Sequence, residues 1–306
     1  MIESATELLA MMISAGTPLL LSTLGEIYAE RSGILNLGVE GMMALGAVVA
    51  FYITLTTGNP ALGLAAAAVA GLALSSLHAF ISITIRSNQV VSGLALSMLG
   101  IGLSSLIGKG LIGMPLRHAL EKLEVPLLRD IPLLGAFFRQ NALTYLSYLL
   151  AASLWFIMFK TKIGICIRMS GENPRAADTM GVNVFRLRYL CTLLGGALAG
   201  LGGAYLSIAY TPAWIEGMTA GQGWIALALV IFAAWNPLYA LAGAYLFGGI
   251  RVLQYRLQPL GISPPLLQTL PYVCTIVVLV AFSTEKLRRK LGAPSALGKP
   301  YSREER

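Results

Sequence analysis

Long stretches without a charged residue constrain this chain more than any other feature of its sequence. The longest covers residues 41–85, which is 45 residues without Lys, Arg, Asp or Glu. Five more charge-free runs follow, at 87–108, 140–159, 189–215, 217–250 and 257–284. A helix needs about 20 apolar residues to cross the hydrocarbon of a bilayer. A soluble core does not need six such runs, so we expect the chain to lie in a membrane.

The charge-free runs predict helices rather than a transmembrane barrel. In lipid, backbone N–H and C=O groups must pair internally, which leaves helices or a closed β-barrel. Barrel strands are roughly 10 residues long and alternate apolar with polar side chains. The runs here are longer and do not alternate, and 56% of the chain is hydrophobic against 12% charged. We therefore predict an all-α polytopic membrane protein with a single transmembrane domain over residues 1–306.

Nine membrane segments are predicted, within a range of eight to ten helices, and some are short or broken. Asn59-Pro60 and Asn236-Pro237 divide two of the longest runs, because such pairs are turn signals. Short, interrupted segments are typical of broken helices beside a transport path. The glycine-rich run at 195–203 is expected to form a close helix-packing face. The segments cover roughly residues 7–25, 37–57, 61–85, 90–110, 141–160, 189–210, 222–235, 238–255 and 266–284.

Two segments resemble each other and suggest an internal two-fold repeat. In residues 38–45 and 220–227 an acid or amide precedes a glycine, and Ala-Leu follows at the same offset. Each segment is followed downstream by an Asn-Pro pair, at Asn59-Pro60 and at Asn236-Pro237. Transporters are often built from two related halves. Gly, Ala and Leu are abundant in this chain, however, so chance similarity stays open as an alternative.

The distribution of basic residues orients the chain. Residues 160–188 hold six basic and two acidic side chains, and residues 285–306 hold seven and three, so these stretches carry 13 of the 22 Lys and Arg. Basic loops tend to remain in the cytoplasm. We therefore assign the loop 161–188 and the basic tail 285–306 to the cytoplasm. Counting segments back makes 111–140 an extracytoplasmic loop and leaves the N-terminus outside.

Several other functions are not indicated by the sequence. The net charge of +8 does not predict nucleic-acid binding, because the basic residues lie between membrane runs. The three cysteines share no metal-ligand spacing, so no metal and no disulfide is assigned. The chain contains neither a GxxxxGK[ST] nucleotide loop nor a catalytic constellation, so we expect no enzyme activity and no cofactor in this chain. We also expect no cleaved signal peptide, since the N-terminus lacks a basic n-region.

Glu40 is the most unusual polar residue near a membrane segment. It directly precedes the longest charge-free run, so it lies at or inside the membrane boundary. A charge near the bilayer centre costs about 3 kcal/mol or more. One interpretation is an ion pair with Arg31 that fixes the start of a helix. The other is direct contact with a solute, beside the free N–H groups of that helix start.

Four polar residues near helix starts or breaks are candidates for lining a solute path. They are Asn36, Glu40, Gln89 and Gln222. Gln89 lies at the start of a membrane segment, where a capping or interhelical hydrogen bond is an equally good interpretation. No sharp pocket is expected from the sequence.

The basic loop contains a short helix with its own caps. Asn173 is a good N-cap, Pro174 suits the first helical turn, and Gly181 is placed to end the helix. A helix of about two turns that is polar and rich in small residues is suited to docking on a soluble partner. A solvated connector has the same pattern, and the residues alone do not choose between the two.

Four separated motifs resemble one known family, over the chain from about residue 20 to its end. The motifs lie at 30–43, at 171–177, at 218–227 with 235–237, and at 296–301. In order and composition they resemble bacterial ABC-importer permeases of the branched-chain amino acid, ribose and nucleoside type. Within that group the chain is most similar to nucleoside and simple-sugar permeases.

The resemblance implies a multi-pass permease subunit in the bacterial plasma membrane that imports a small solute, with nucleosides as the first expectation. It implies three partners besides the lipids: a cytoplasmic ATPase that binds the ATP, a second and similar permease subunit, and an extracytoplasmic solute-binding protein or lipoprotein. Two alternatives stay open, a permease for simple sugars such as ribose and a secondary transporter that needs no ATPase.

The resemblance also implies a role for the capped helix in the basic loop. That helix, at 172–181, would be the coupling helix that engages the ATPase. The residues that match the family motif there are Gly171, Glu172, Asn173, Pro174, Arg175, Ala176, Asp178 and Gly181.

Overall fold

The computed structural model of the chain describes residues 2–260, 262–282 and 292–302. Every predicted membrane segment is helical there, and the last is described through residue 282. The helices are α1 (Ile2–Arg31), α2 (Val39–Thr57), α3 (Pro60–Ala79), α4 (Gln89–Gly108), α5 (Ala142–Lys160), α6 (Lys162–Glu172), α7 (Pro174–Thr179), α8 (Val184–Tyr205), α9 (Gln222–Phe232), α10 (Pro237–Leu257), α11 (Pro264–Gln268) and α12 (Leu270–Phe282). Two short strands, β1 (Lys122–Glu124) and β2 (Arg139–Asn141), pair antiparallel with Leu123 opposite Gln140.

Six helices of the described chain are long and apolar enough to cross a membrane, which confirms a multi-pass architecture. They are α1, α2, α3, α4, α5 and α8, and π-helical turns at Phe80–Thr84 and Leu206–Tyr210 extend α3 and α8. By contrast, α9 has only 11 residues, or roughly 16 Å of helix. The hydrocarbon layer is about 30 Å thick. The predicted segment 222–235 is therefore a half-helix that does not span the layer.

Asparagine side chains set where many of these helices begin. Asn59 and Asn236 each precede a proline, and their side chains accept hydrogen bonds from the backbone N–H groups of Ala61 and Leu238. The first N–H groups of a helix have no partner within it, and an Asn side chain satisfies one of them. The sequence breaks at both Asn-Pro pairs are thus helix starts. Further Asn caps begin α4, α5, α7 and α8.

The bundle has two ends, which we name by the loops they carry. The basic face carries residues 161–188, and the distal face carries residues 112–141. At the distal face, the hydroxyl of Thr6 near the start of α1 accepts a hydrogen bond from the backbone N–H of Leu133 (3.1 Å). At the basic face, Arg31 at the end of α1 donates to the carbonyl oxygen of Gly292 (3.1 Å). Which face meets the cytoplasm stays a prediction from the charge distribution.

Helix α8 packs at the centre through the glycine run identified in the sequence. Gly195 faces Gly25 of α1, Gly196 faces Gly71 of α3, and Gly203 of α8 faces the backbone of α2 at Met43. Because glycine has no side chain, the three neighbouring helices approach α8 closely along its length. The expected packing face is therefore confirmed, and it serves three helices at once.

This packing gives a matched pair of stability predictions. A Cβ atom at Gly203 would overlap the carbonyl oxygen of Met43, whereas a Cβ at Gly102 of α4 meets nothing within 4 Å in the described chain. Overpacking typically costs about 1–3 kcal/mol. We expect Gly203→Ala to lower the melting temperature of the detergent-solubilised protein, and Gly102→Ala to leave it unchanged or raise it. Equal melting temperatures for the two variants would contradict this packing.

The two repeat-like segments begin two helical hairpins of opposite direction. Glu40 lies in the first turn of α2, and α2 ends at the distal face, where Gly58 lies beside His118. Gln222 is the first residue of α9, and α9 leads to the basic face, where Trp235 contacts Glu30. In each hairpin an Asn-Pro pair then begins the returning helix, α3 or α10. Such inverted hairpins are what an internal repeat of a transporter produces.

Candidate functional site

Glu40 ties the start of α2 to the start of α9. Its Oε1 accepts hydrogen bonds from the hydroxyl of Thr219 (2.6 Å) and the backbone N–H of Gly221 (2.9 Å). Its Oε2 accepts one from the backbone N–H of Gly223 (2.6 Å), and the side chain is buried. Free N–H groups at a helix start carry partial positive charge, so a carboxylate there is favourable. The two repeat-like segments thus meet at their helix starts.

The ion pair between Glu40 and Arg31 that the sequence suggested is wrong. Arg31 donates instead to three carbonyl oxygens, those of Ala234 (3.2 Å), Trp235 (3.4 Å) and Gly292 (3.1 Å). Within the part of the chain that the structure describes, ion pairs within 4 Å occur only between residues 124 and 139. The start of α2 is therefore joined to α9 by neutral donors.

Glu40 and Gln222 lie near half the height of the bundle. Glu40 lines a cavity of about 150 Å³ together with Ile101, which follows the start of α4 by roughly 18 Å of helix. Gln222 lies in a second cavity with Leu19, which precedes the end of α1 by roughly 18 Å. Against a hydrocarbon thickness of about 30 Å, both positions are close to the midplane.

The second cavity, here called the Gln222 cavity, has a volume of about 370 Å³. Gln222 is 3% exposed, and neither polar atom of its side chain has a partner in the described chain. The hydroxyl of Tyr272 in α12 donates to the carbonyl oxygen of Ala220 (2.5 Å) and closes one wall. Polar and aromatic side chains of the lining include Gln222, Phe247, Arg251, Gln254, Gln268 and Tyr272. A midplane cavity with unpartnered amide atoms can bind a polar solute.

Of the four candidate solute-path residues, two line cavities in the structure and two do not. Gln222 lines the larger cavity and Glu40 the smaller one. The amide oxygen of Asn36 accepts from the backbone N–H of Gly38 (3.0 Å), and that of Gln89 accepts from Leu35 (2.8 Å). Both side chains hold the connection between α1 and α2, and neither lines either cavity. Their place in a solute path stays a prediction without geometric support.

Arg251 lines the Gln222 cavity but was not among the residues predicted from the sequence. Its guanidinium carbon lies 5.4 Å from the ring centroid of Tyr210. A signal was present in the sequence, because Arg251 falls inside the predicted segment 238–255. An ionisable residue within a membrane segment is costly and is usually functional. Gln254, Gln268 and Tyr272 had no comparable signal, since only the folded chain brings them together.

The end of α1 holds the turn between α9 and α10. The Trp235 indole N–H donates to Oε2 of Glu30 (2.6 Å), and Arg31 binds the carbonyl oxygens of Ala234 and Trp235. Ala234 and Trp235 have φ angles of 49° and 54°, a left-handed conformation that side chains other than glycine seldom adopt. The motifs at 30–43 and 218–237 therefore contact each other twice, at the basic face and near the midplane.

The capped helix in the basic loop forms as the residues indicated. The side chain of Asn173 accepts from the backbone N–H of Ala176 (3.1 Å), Pro174 is the first residue of α7, and Gly181 has a φ of 83°. A second helix, α6, precedes it directly. Arg175, Ala176 and Gly181 are exposed, as is the neighbouring Met180 at 75%. These four residues form an open surface, here called the α7 surface.

Two of the predicted coupling residues contact the C-terminal segment: Gly171 is buried there, and Glu172 is exposed but binds it. The carboxylate of Glu172 accepts hydrogen bonds from the hydroxyl (2.5 Å) and backbone N–H (3.4 Å) of Ser295. Gly171 is buried against the carbonyl oxygen of Arg31, and its own carbonyl oxygen accepts from the N–H of Ala296 (2.9 Å). Asp178 is only half-buried. Gly171 and Glu172 therefore anchor the C-terminal segment.

Residues 292–302, here called the C-terminal strap, cross the basic face. Arg188 is buried beneath them and donates to the carbonyl oxygens of Ser32 (3.1 Å) and Lys299 (3.5 Å). The guanidinium carbon of Arg188 also lies 5.8 Å from the ring centroid of Tyr301. The motif at 296–301 thus packs on the other motifs. The remainder of the predicted basic tail lies outside the described residues.

The chain is similar to known proteins in sequence and in fold. Residues 8–279 match the family model described as branched-chain amino acid transport system / permease component. The chain also shares its fold, over 90% of its length and 84% of the other chain, with a structure described as an inward-facing metal-chelate type ABC transporter. The TM-score is 0.53 at 17% identity.

Named relatives extend over nearly the whole chain. A Haloferax volcanii protein that carries the name of a glucose ABC transporter permease is 42% identical over 98% of both chains. A Bacillus subtilis guanosine ABC transporter permease is 38% identical over 93% of this chain and 92% of its own. A Lactococcus lactis nucleoside ABC transporter permease is 35% identical over 96% of both.

Proposed function

The chain belongs to the branched-chain amino acid transport system / permease component family, and on that premise we propose that it imports nucleosides as part of an ATP-driven transporter. It is a multi-pass membrane protein and the permease subunit of an ABC transporter. Its relatives are transport permeases rather than enzymes. The alternative of a secondary transporter without an ATPase is therefore set aside.

The observation that carries the proposal is the Gln222 cavity near the midplane. A nucleoside has a flat base and a hydroxyl-rich ribose, and the cavity offers both aromatic rings and amide groups. Stacking of a base on an aromatic ring contributes about 1–3 kcal/mol. Phe247 and Tyr272 supply such rings, and Gln222 supplies an unpartnered donor and acceptor. Relatives named for guanosine and nucleosides support the same choice of solute.

A simple sugar is the second candidate solute. The 42% identical relative is named for glucose, so the family relationship alone does not separate sugar from nucleoside. Amide groups in the Gln222 cavity would also bind sugar hydroxyls. The aromatic rings of the lining favour the nucleoside, because they match a flat base.

An ABC permease works with an ATPase and a substrate-binding partner. We assign the ATPase to the α7 surface, since Arg175, Ala176 and Met180 are exposed at the basic face. ATP would bind to that partner and not to this chain. We assign the solute-binding protein to the distal face and expect a second, similar permease beside this one.

A series of residue contacts at the basic face connects the α7 surface to the Gln222 cavity. Gly171 of α6 packs on Arg31, and Arg31 binds the turn that ends α9. The start of α9 carries Gln222 and is bound by Glu40. Movement of α6 and α7 by the ATPase would therefore act on α9 along its length. A half-helix that begins at the midplane is a suitable moving element, because it runs from the cavity to the basic face.

Uptake by the complete transporter tests the solute. The permease pair, ATPase and solute-binding protein are reconstituted in proteoliposomes, and ATP-dependent entry of labelled guanosine is measured. We expect unlabelled nucleosides to compete and glucose or ribose at the same concentration not to compete. Entry of labelled glucose, with no entry of guanosine, would overturn the nucleoside proposal in favour of the sugar.

A further inference from the structure

Arg251 is a half-buried cation without an acidic partner in the described chain. It lies on α10 with its guanidinium beside the Tyr210 ring, and its Nη1 has no hydrogen-bond partner in the described chain. Ion pairs in the described residues lie elsewhere, between residues 124 and 139. A guanidinium inside a membrane segment is costly unless something binds it. Arg251 lines the Gln222 cavity, so a solute bound there is a group that can accept hydrogen bonds from its guanidinium.

The charges around the cavity favour a neutral solute. Glu40 lines the smaller cavity and Arg251 lines the Gln222 cavity, and Ala220 borders both cavities. Their charges oppose each other across the wall formed by Tyr272 and Ala220. An anionic solute would gain from Arg251 and lose from Glu40. A neutral solute with strong hydrogen-bond acceptors satisfies the guanidinium without this conflict.

The geometry of an arginine narrows the choice of acceptors. Its planar fork of N–H donors suits two acceptors that lie side by side in one plane. The O6 and N7 atoms of guanine form such a pair, whereas adenine presents N7 beside the N6 amino donor. Sugar hydroxyls rotate and both donate and accept, so they offer no rigid pair of acceptors in one plane. Gln222, whose amide is unpartnered in the same cavity, can then bind another polar edge of the base.

We propose that the Gln222 cavity is a binding site for 6-oxopurine nucleosides, with Arg251 pairing with the O6 and N7 atoms of the base. The inference rests on the proposed nucleoside transport. It adds the class of nucleoside that binds and names Arg251 as the residue that selects this class. Arg251 discriminates against adenosine because the N6 amino group would face the guanidinium donors. It discriminates against sugars because they lack the acceptor pair.

Binding to the permease–ATPase complex in nanodiscs, without the solute-binding protein, tests the site directly. Leaving out the delivery protein removes its selectivity from the measurement. We expect labelled guanosine to bind and adenosine to compete roughly tenfold to hundredfold more weakly than unlabelled guanosine. In Arg251→Lys the charge remains and the planar fork is lost, so this preference should fall to within a few-fold. The matched control Arg256→Lys, exposed in the last turn of the same helix, should keep it.

A second measurement needs no variant. With the wild-type complex, 7-deazaguanosine lacks the N7 acceptor and should compete roughly tenfold more weakly than guanosine. Equal competition by the two, an unchanged preference in Arg251→Lys, or no guanosine binding up to millimolar concentration would each overturn the proposed site. If the complete transporter still takes up nucleosides in that case, the proposed function stands and only the site fails.

Discussion

Replacing Glu40 by alanine is expected to abolish transport and to lower the yield of folded protein to a small fraction of the wild-type yield. The substitution leaves three donors without an acceptor: the buried hydroxyl of Thr219, the buried backbone N–H of Gly223 and the half-buried backbone N–H of Gly221. Each buried donor left unsatisfied costs about 1–3 kcal/mol. Their sum is comparable to the whole stability of many proteins, about 5–15 kcal/mol. Because these donors begin α9, the half-helix beside the cavity would lose its anchor.

Replacing Glu40 by glutamine tests its role in transport while keeping the protein folded. Glu40→Gln keeps the size of the side chain and one acceptor oxygen, but its amino group must face a backbone N–H of the α9 start. We expect near-normal folded yield and ATP-driven uptake lowered by roughly tenfold, the effect of about 1.4 kcal/mol. Folded yield is measured by size-exclusion chromatography and uptake in proteoliposomes. Glu121→Ala, at an exposed acid of the distal face, is the control and should match the wild type. Normal uptake by Glu40→Ala would contradict the role of this residue.

Making the α7 surface acidic is expected to uncouple the permease from its ATPase. In the double variant Arg175→Glu, Met180→Asp, an exposed cation and an exposed apolar side chain become acidic. Neither side chain is buried, so folded yield should be unchanged. A charge reversal and a lost apolar contact at a docked surface together remove most of the binding energy of a small interface. We expect the ATPase to be lost on co-purification, and ATP-driven uptake to fall to background.

The control for the α7 surface is a charge reversal on the other end of the bundle. Arg117→Glu changes an exposed arginine of the distal face and should leave ATPase co-purification intact. If the double variant still co-purifies with the ATPase and supports normal uptake, the coupling role of α7 is wrong. Glu172 is left out of this variant because it binds Ser295, so its substitution would loosen the C-terminal strap as well.

Local features of the fold could be read directly from the residues. Asn173, Pro174 and Gly181 predicted a capped helix, and the structure has that helix with that cap. The glycine run at 195–203 predicted close packing, which α8 shows against three neighbours. These features depend on a few adjacent residues and on the backbone geometry that those residues allow. The same is true of the Asn-Pro pairs, which both begin helices.

Residue partners far apart in the chain could not be read in this way. The sequence left Glu40 with Arg31 as its nearest basic candidate, yet Glu40 binds Gly221 and Gly223. Gln89 and Asn36 looked like path residues, but they hold the connection between α1 and α2. Arg251 and Tyr272, which border the Gln222 cavity, come together only because α10 and α12 pack beside α9.

The sequence by itself determined that this chain is a helical membrane protein and placed its motifs in the family of ABC permeases. Long charge-free runs in lipid allow only backbones that satisfy their own hydrogen bonds, so composition and length decide the architecture. Only the tertiary structure decided which polar groups meet at the midplane. Glu40 and Thr219 are 179 residues apart, and their contact depends on two inverted hairpins bringing two helix starts together. No local sequence pattern encodes that contact, because it results from the packing of the whole bundle.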